Sequence, residues 1–256
     1  MIRIIMDGRE IEVEEGLSVL EAADKIGIRI PNLCYHPAIK PYGACRVCIV
    51  EITYLDQRSK KKVSTLTTSC TFPVVEGMEI KTNSAKVEKV RRLIVELLLA
   101  RCPEVEVVKS LAYQLGLEKT EFPLRKEDCL LCGLCVRVCK EAIGVEAISF
   151  INRSIQRKVT TPFEGQSDVC LGCAACAYVC PAGIIKIEDS GDKIWIEKWH
   201  TEVKKIKCEN CGKFYTPEPL FEYIDKKILP GANEFLKLCP DCRKSILANR
   251  LARSGD

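Results

Sequence analysis

Seventeen cysteines occur among 256 residues, accompanied by only 2 histidines and 2 tryptophans. Sixteen of them fall into four groups of four, which leaves Cys102 over. Cys129-x2-Cys132-x2-Cys135-x3-Cys139 and Cys170-x2-Cys173-x2-Cys176-x3-Cys180-Pro181 repeat one spacing. Thiolates at this spacing hold iron: three close sulfurs wrap three corners of a [4Fe–4S] cube, and the fourth lies too far along the chain and points to another cube. The assignment that follows is Cys129, Cys132, Cys135 and Cys180 around one cluster, and Cys170, Cys173, Cys176 and Cys139 around the second. Gly133, Gly172, Ala174, Ala175 and Ala177 let the backbone pass close to the sulfides and donate N–H groups. Zinc prefers four ligands in two pairs, which two three-plus-one runs do not suit.

The other two groups are spaced differently. Cys34-x10-Cys45-x2-Cys48-x21-Cys70 gives a long loop, a tight pair and a distant fourth ligand, with Gly43 and Ala44 leaving room beside Cys45 for a [2Fe–2S] cluster. The spacing departs from the plant-type C-x4-C-x2-C run, and a set of buried free thiols is the alternative. His36, two residues after Cys34, reads as a surface-loop histidine rather than a ligand. Cys208-x2-Cys211 and Cys239-x2-Cys242 are two knuckles that read as one closed structural zinc site. A further iron–sulfur cluster is the alternative there.

Composition narrows the classes. Hydrophobic residues make up 47% and charged residues 29%, ordinary for a globular chain. No run reaches the roughly 18 apolar residues of a membrane span; the most apolar stretch, Leu93 to Ala100, is interrupted by Glu96. Met1 to Glu12 is short and mixed in charge, unlike a signal peptide, so a cytoplasmic location is expected and a dense disulfide framework is not. A net charge of +4 and a mildly basic four-cysteine tail without aromatic interleaving do not argue for nucleic acid.

The elements that must position these sulfurs are legible in part. Ile2, Ile4, Ile11 and Val13 alternate with polar residues around Asp7-Gly8, a hairpin signal. Ser18 and Glu21 form a capping box for a helix carrying Val19, Leu20, Ala23 and Ile26, ended by Gly27. Val47 to Ile52 is a further strand, and Tyr54 to Lys62 a polar turn before Val63. Residues 83–119 read as a helical spacer: Val87, Val90, Ile94, Leu97 and Leu98 recur at helical spacing after Asn83 and Ser84. Pro103 starts a second helix with Val108, Leu111 and Leu115 inward and Gly116 at its end. The fold expected is α+β in four parts: a β-grasp [2Fe–2S] domain at 1–82, the spacer at 83–120, a 2[4Fe–4S] bacterial-ferredoxin-like domain at 121–190, and a zinc-ribbon-like module at 191–256.

Four stretches carry a resemblance: Pro31-Asn-Leu-Cys-Tyr-His36, Pro41-Tyr-Gly-Ala-Cys-Arg-Val-Cys48, Cys135-Val-Arg-Val-Cys139, and Gly144 to Phe163 with Ala147-Ile-x-Phe150 and Lys158-Val-Thr-Thr-Pro-Phe163. Residues 1–190 resemble the iron–sulfur part shared by the large subunit of respiratory complex I, the small diaphorase subunit of NAD-linked [NiFe] hydrogenases, NAD-dependent formate dehydrogenases and electron-bifurcating hydrogenases. The resemblance supports Cys34, Cys45, Cys48 and Cys70 as ligands. Many such relatives carry a cluster held by one histidine and three cysteines ahead of the two cubanes. Here that stretch offers only Cys102, so this cluster is expected to be absent and Cys102 to be a buried thiol at a helix junction.

No G-x-G-x-x-G and no Walker A run is found, so no nucleotide site is visible. The chain has no room for a hydrogen-activating or molybdopterin domain. The reading is an electron-transfer subunit of a cytoplasmic multi-subunit redox complex, without catalytic residues of its own. It would relay single electrons between an NAD(P)H-oxidising flavoprotein and a catalytic subunit such as a [NiFe] hydrogenase. A formate dehydrogenase complex, a free ferredoxin-like carrier and a redox-sensing nucleic-acid binder are the alternatives. The cofactors expected are one [2Fe–2S] cluster, two [4Fe–4S] clusters and one structural zinc.

Overall fold

The computed structural model describes residues 1–256 apart from 57, 59, 229, 231, 232 and 254–256. It divides into two compact units, Met1–Leu134 and Cys135–Asp256. Parts of the turn expected at 54–62 and of the four-cysteine module at 191–256 therefore lie outside the described residues.

The first unit opens with the expected hairpin. β1 (Ile2–Met6) and β2 (Arg9–Val13) pair antiparallel from Ile2 opposite Val13 to Met6 opposite Arg9, around the two-residue turn Asp7-Gly8. Both turn residues have positive φ, the backbone that a tight hairpin demands. α1 (Val19–Lys25) follows with the capping box complete: Ser18 Oγ accepts from the Glu21 N–H, and the Glu21 carboxylate accepts from the Ser18 N–H. β3 (Ile49–Leu55), β4 (Lys62–Thr68) and β5 (Glu79–Lys81) complete a five-stranded sheet in the order β2-β1-β5-β3-β4, parallel only between β1 and β5. Ile4, Met6, Val50, Ile52 and Ile80 from the sheet bury against Val19, Ala22 and Ala23 of α1. Cys48 and Cys70 belong to the same buried cluster, so the apolar core reaches the cysteine loops directly. β3 starts at Ile49 rather than Val47 and runs to Leu55 rather than Ile52, and Tyr54, Leu55 and Lys62, read as turn, are strand residues, because Thr53, Tyr54 and Leu55 still pair with β4.

α2 (Ala85–Arg101) and α3 (Glu106–Gln114) occupy the region read as helical. Ser84 caps α2 by accepting from the Val87 N–H. The buried stripe differs from the expected one. It runs through Val87, Arg91, Val95 and Leu99, while Leu97 is exposed. The physical reason is Arg91, whose guanidinium turns inward to reach Val47 O at 3.2 Å, Ile49 O at 2.7 Å and Thr82 O at 3.0 Å. α3 starts at Glu106 rather than at Pro103. A turn closed by the Val105 N–H on Cys102 O intervenes.

α4 (Leu134–Arg137) starts on the last residue of the first unit, and the second unit continues with a π turn, Val138–Ile143. β6 (Ser149–Ile151) and β7 (Lys158–Thr160) form a short antiparallel pair. After α5 (Ala175–Tyr178) the chain builds an antiparallel four-stranded sheet from β8 (Ile187–Asp189), β9 (Lys193–Ile196), β10 (Thr201–Lys207) and β11 (Phe214–Pro217), in the order β11-β10-β9-β8. α6 (Glu218–Tyr223), α7 (Asn233–Leu236) and α8 (Pro240–Arg253) follow. No helix of the described residues is long and apolar enough to cross a membrane.

Candidate metal centres

Cys34 and Cys45 sit on the irregular loop between α1 and β3, Cys48 immediately precedes β3, and Cys70 follows β4. All four are buried. The Cys45 N–H donates to Cys34 Sγ at 3.4 Å. The sulfurs also bond one another. Cys45 and then Cys70 donate to Cys34 and push its thiol well below the ordinary value, while Cys45 and Cys70 are themselves pushed up. Cys70 likewise lowers Cys48 to about 6. Two of the four sulfurs are thus favoured as thiolates, the form that binds metal. Gly43 has φ of +66°, and a Cβ there would come within 3.2 Å of Thr71 Cγ2, so the loop fits against the turn that carries Cys70 only with glycine at this position. Four soft donors, buried and hydrogen-bonded to one another, match an iron–sulfur group.

Cys129 and Cys132 lie at the end of the first unit, Cys135 in α4 and Cys180 two residues after α5. Leu131, in the left-handed region at φ 53°, turns its N–H onto Cys129 Sγ at 3.4 Å. The Arg101 guanidinium holds the Cys129 carbonyl at 2.9 Å. His36 is half-buried on its loop, with Nδ1 accepting from the Ala38 N–H. Cys102 is fully buried at the junction of α2 and α3, where burial pushes its thiol up to about 11.

Cys139, Cys170, Cys173 and Cys176 line one small pocket together with apolar side chains that include Ile148, Ile196 and Trp199. Burial raises the thiols of Cys139 and Cys170 and brings Cys176 to about 11. Ionising these sulfurs in an apolar pocket therefore needs a positive centre among them, and metal binding supplies one as it displaces the protons. N–H donors are already in place: Ala147 N to Cys139 Sγ at 3.3 Å and Trp199 Nε1 to Cys176 Sγ at 3.4 Å. The cavity thus fits a thiolate-ligated cluster. Sequence reasoning missed Trp199, because the indole and its sulfur are 23 residues apart and no spacing rule links them.

Cys208, Cys211, Cys239 and Cys242 bring their four sulfurs within 4.8 Å of one another. Cys211 Sγ and Cys239 Sγ are 3.8 Å apart. Desolvation opposes ionisation of Cys208, but the N–H groups of Cys239, Cys211 and Asn210 outweigh it and lower the thiol to about 6. The Asn210 amide donates to Cys242 Sγ at 3.2 Å and the Cys239 N–H to Cys208 Sγ at 3.2 Å. This group can hold a metal ion.

Comparison with known proteins agrees with this chemistry. Residues 1–85 match the family model described as a 2Fe-2S iron-sulfur cluster binding domain, and residues 128–184 match that of a 4Fe-4S dicluster domain. The chain is 32% identical over 210 residues to the alpha subunit of the NADPH-Fe(3+) oxidoreductase of Geobacter sulfurreducens, covering 72% of this chain and 24% of that one. It is 32% identical over 239 residues to the G 2 subunit of the NADH-quinone oxidoreductase of Rhizobium meliloti, covering 83% of this chain and 27% of that one. The chain thus spans about a quarter of the length of these curated relatives. A crystal structure of an NAD+-reducing [NiFe]-hydrogenase in the H2-reduced state is similar in fold, with a TM-score of 0.55 and 28% identity over 72% of this chain and 84% of that one. The chain is therefore an iron–sulfur protein that joins a 2Fe-2S cluster binding domain to a 4Fe-4S dicluster domain, and it is related to the G-type subunits of NADH-quinone oxidoreductases and to the alpha subunit of NADPH-Fe(3+) oxidoreductase.

Proposed function

We propose that this chain is an electron-transfer subunit of a cytoplasmic multi-subunit redox complex, linking an NAD(P)H-oxidising flavoprotein to a catalytic subunit such as a [NiFe] hydrogenase. The observation that carries the reading is the apolar pocket in which four cysteines from two separate stretches converge, inside the segment matched as a 4Fe-4S dicluster domain. The similarity to a chain of an NAD+-reducing [NiFe]-hydrogenase structure supports the choice of partners. A formate dehydrogenase complex would use the same relay.

The ligand sets are those read from the spacing: Cys34, Cys45, Cys48 and Cys70 for a [2Fe–2S] cluster on a β-grasp frame; Cys129, Cys132, Cys135 and Cys180 for one [4Fe–4S] cluster; Cys139, Cys170, Cys173 and Cys176 for the other. When bound, such clusters take up and release single electrons without breaking substrate bonds. The residues of this chain hold thiolates in place, exclude water with apolar walls and aim N–H groups at sulfur. The four divisions expected from sequence serve as the working domain boundaries.

The last four cysteines favour zinc. Four sulfurs at about 2.3 Å from one tetrahedral ion stand about 3.8 Å apart, which is the Cys211–Cys239 separation. A cube of four irons would hold its thiolates much further apart. The module is then a closed, zinc-ribbon-like support.

Anaerobic purification of the native protein, with metal analysis and mass spectrometry of co-eluting chains, tests the whole reading. The expected result is about ten irons and one zinc per chain, with a flavoprotein and a hydrogenase-like or formate-dehydrogenase-like chain in stoichiometric amount. About fourteen irons without zinc would overturn the zinc assignment. Recovery of this chain alone, folded and iron-loaded, would replace the complex with a free carrier.

A further inference from the structure

Trp199 is 2% exposed and lies in a 3-10 turn between β9 and β10, outside the segment matched as a 4Fe-4S dicluster domain. Its indole N–H donates to Cys176 Sγ at 3.4 Å. An indole has one donor and no acceptor, and a buried one needs a partner. Here that partner is a cluster sulfur. The backbone of this turn is held in place. Thr201 Oγ1, itself buried, donates to the Trp199 carbonyl at 2.8 Å and accepts from the Ser167 N–H at 3.4 Å. The sheet that carries Trp199 presses on the cysteine loop at a second point: a Cβ on Gly172 would come 2.9 Å from Ile194 Cδ1 and 3.2 Å from Pro217 Cβ. The C-terminal sheet is thus built against the cysteine loop.

We propose that Trp199 is a positioning residue that raises the reduction potential of the cluster held by Cys139, Cys170, Cys173 and Cys176, through the hydrogen bond it donates to Cys176. The inference rests on the ligand set given under the proposed function. Reduction adds one electron, delivered by a reduced flavin or a chemical reductant, to the cluster and its thiolates. No bond forms or breaks, and the indole keeps its proton. The added negative charge falls partly on sulfur, so an N–H aimed at sulfur stabilises the reduced state more than the oxidised one. The Ala147 donor to Cys139 is backbone and survives substitution; the Trp199 donor is the one a side-chain change removes.

The test is an anaerobic, EPR-monitored redox titration of the full-length, cluster-loaded protein. Wild type is compared with Trp199→Phe and with protein carrying benzothienylalanine at position 199, which keeps the shape of the indole but replaces N–H with sulfur. Both replacements are expected to move one of the two [4Fe–4S] potentials to a more negative value, by up to a tenfold change in the one-electron equilibrium, about 59 mV. Iron content and the other potentials should match wild type, as they should in Trp195→Phe on the same sheet. Unchanged potentials in loaded protein overturn the inference and leave the ligand set standing. Should only Trp199→Phe lose iron, the benzothienyl protein decides; iron loss from both assigns Trp199 to packing and overturns the tuning role. A wild-type protein with a single [4Fe–4S] signal overturns the ligand set, and the inference with it.

Discussion

Arg91 is the charged side chain most deeply committed to the first unit. Its guanidinium bonds the carbonyls on either side of Cys48, those of Val47 and Ile49, together with Thr82 O and Asn83 Oδ1. Replacing it with leucine leaves buried carbonyls without partners, at about 1–3 kcal/mol each, so Arg91→Leu should lower stability by about 3 kcal/mol or more in chemical denaturation. Lysine cannot reproduce the planar fork, and Arg91→Lys should recover only part of that loss. Gly172 is the counterpart in the second unit. Gly172→Ala meets both an unfavourable φ and a contact of 2.9 Å, so about four irons per chain should be lost while the visible spectrum of the [2Fe–2S] site persists. At this scale the grouping of the last four cysteines, and of Cys139 with Cys170, Cys173 and Cys176, was legible from spacing. Arg91 and Trp199 were not. Their partners lie tens of residues away, and a lone arginine in a helix reads as solvated until the tertiary fold supplies carbonyls.

The elements were legible where local rules suffice. Asp7-Gly8 between alternating apolar residues gave the hairpin, and Ser18 with Glu21 gave the start of α1. The capping box makes a quantitative claim. Ser18→Ala should cost about 1 kcal/mol in thermal or chemical unfolding near neutral pH. Burial alone would raise the Glu21 carboxyl, but the Ser18 N–H, the Ser18 hydroxyl and the Tyr35 phenol bring it below the usual carboxylate range. A depressed folded value means that the stabilisation is present above the unfolded pKa of about 4.3 and is lost as pH falls through the lower folded value. The stability gap between wild type and Glu21→Gln should therefore close on acidification across that window; a gap independent of pH would remove the carboxylate from the account. Where elements were misread, packing overrode periodicity. α2 turned its Val87–Arg91–Val95–Leu99 stripe inward because the carbonyls around Cys48 could satisfy a guanidinium. The turn after Cys102 moved the start of α3 beyond Pro103 because the Val105 N–H was already bonded to Cys102 O.

At the scale of the molecule, each unit couples its sheet to its own cysteines. In the first, Cys48 and Cys70 are part of the apolar core. In the second, β10 runs directly from Trp199 and Thr201 at one end to Cys208 at the other. The zinc assignment predicts that a strong chelator removes one metal per chain and opens residues 208–253 to proteolysis, while the absorbance of the iron–sulfur clusters remains. Bleaching in step with proteolysis would mean that the last four cysteines hold iron.

The placement of Trp199 also makes the protein its own optical probe. Iron–sulfur clusters absorb where indole emits, so a tryptophan touching a cluster ligand should be dark while the cluster is bound. The chain has only 2 tryptophans, and the other, Trp195, lies on the neighbouring strand β9. A rise in ultraviolet-excited emission should therefore report the loss of bound clusters to oxygen, alongside the fading of their visible absorbance.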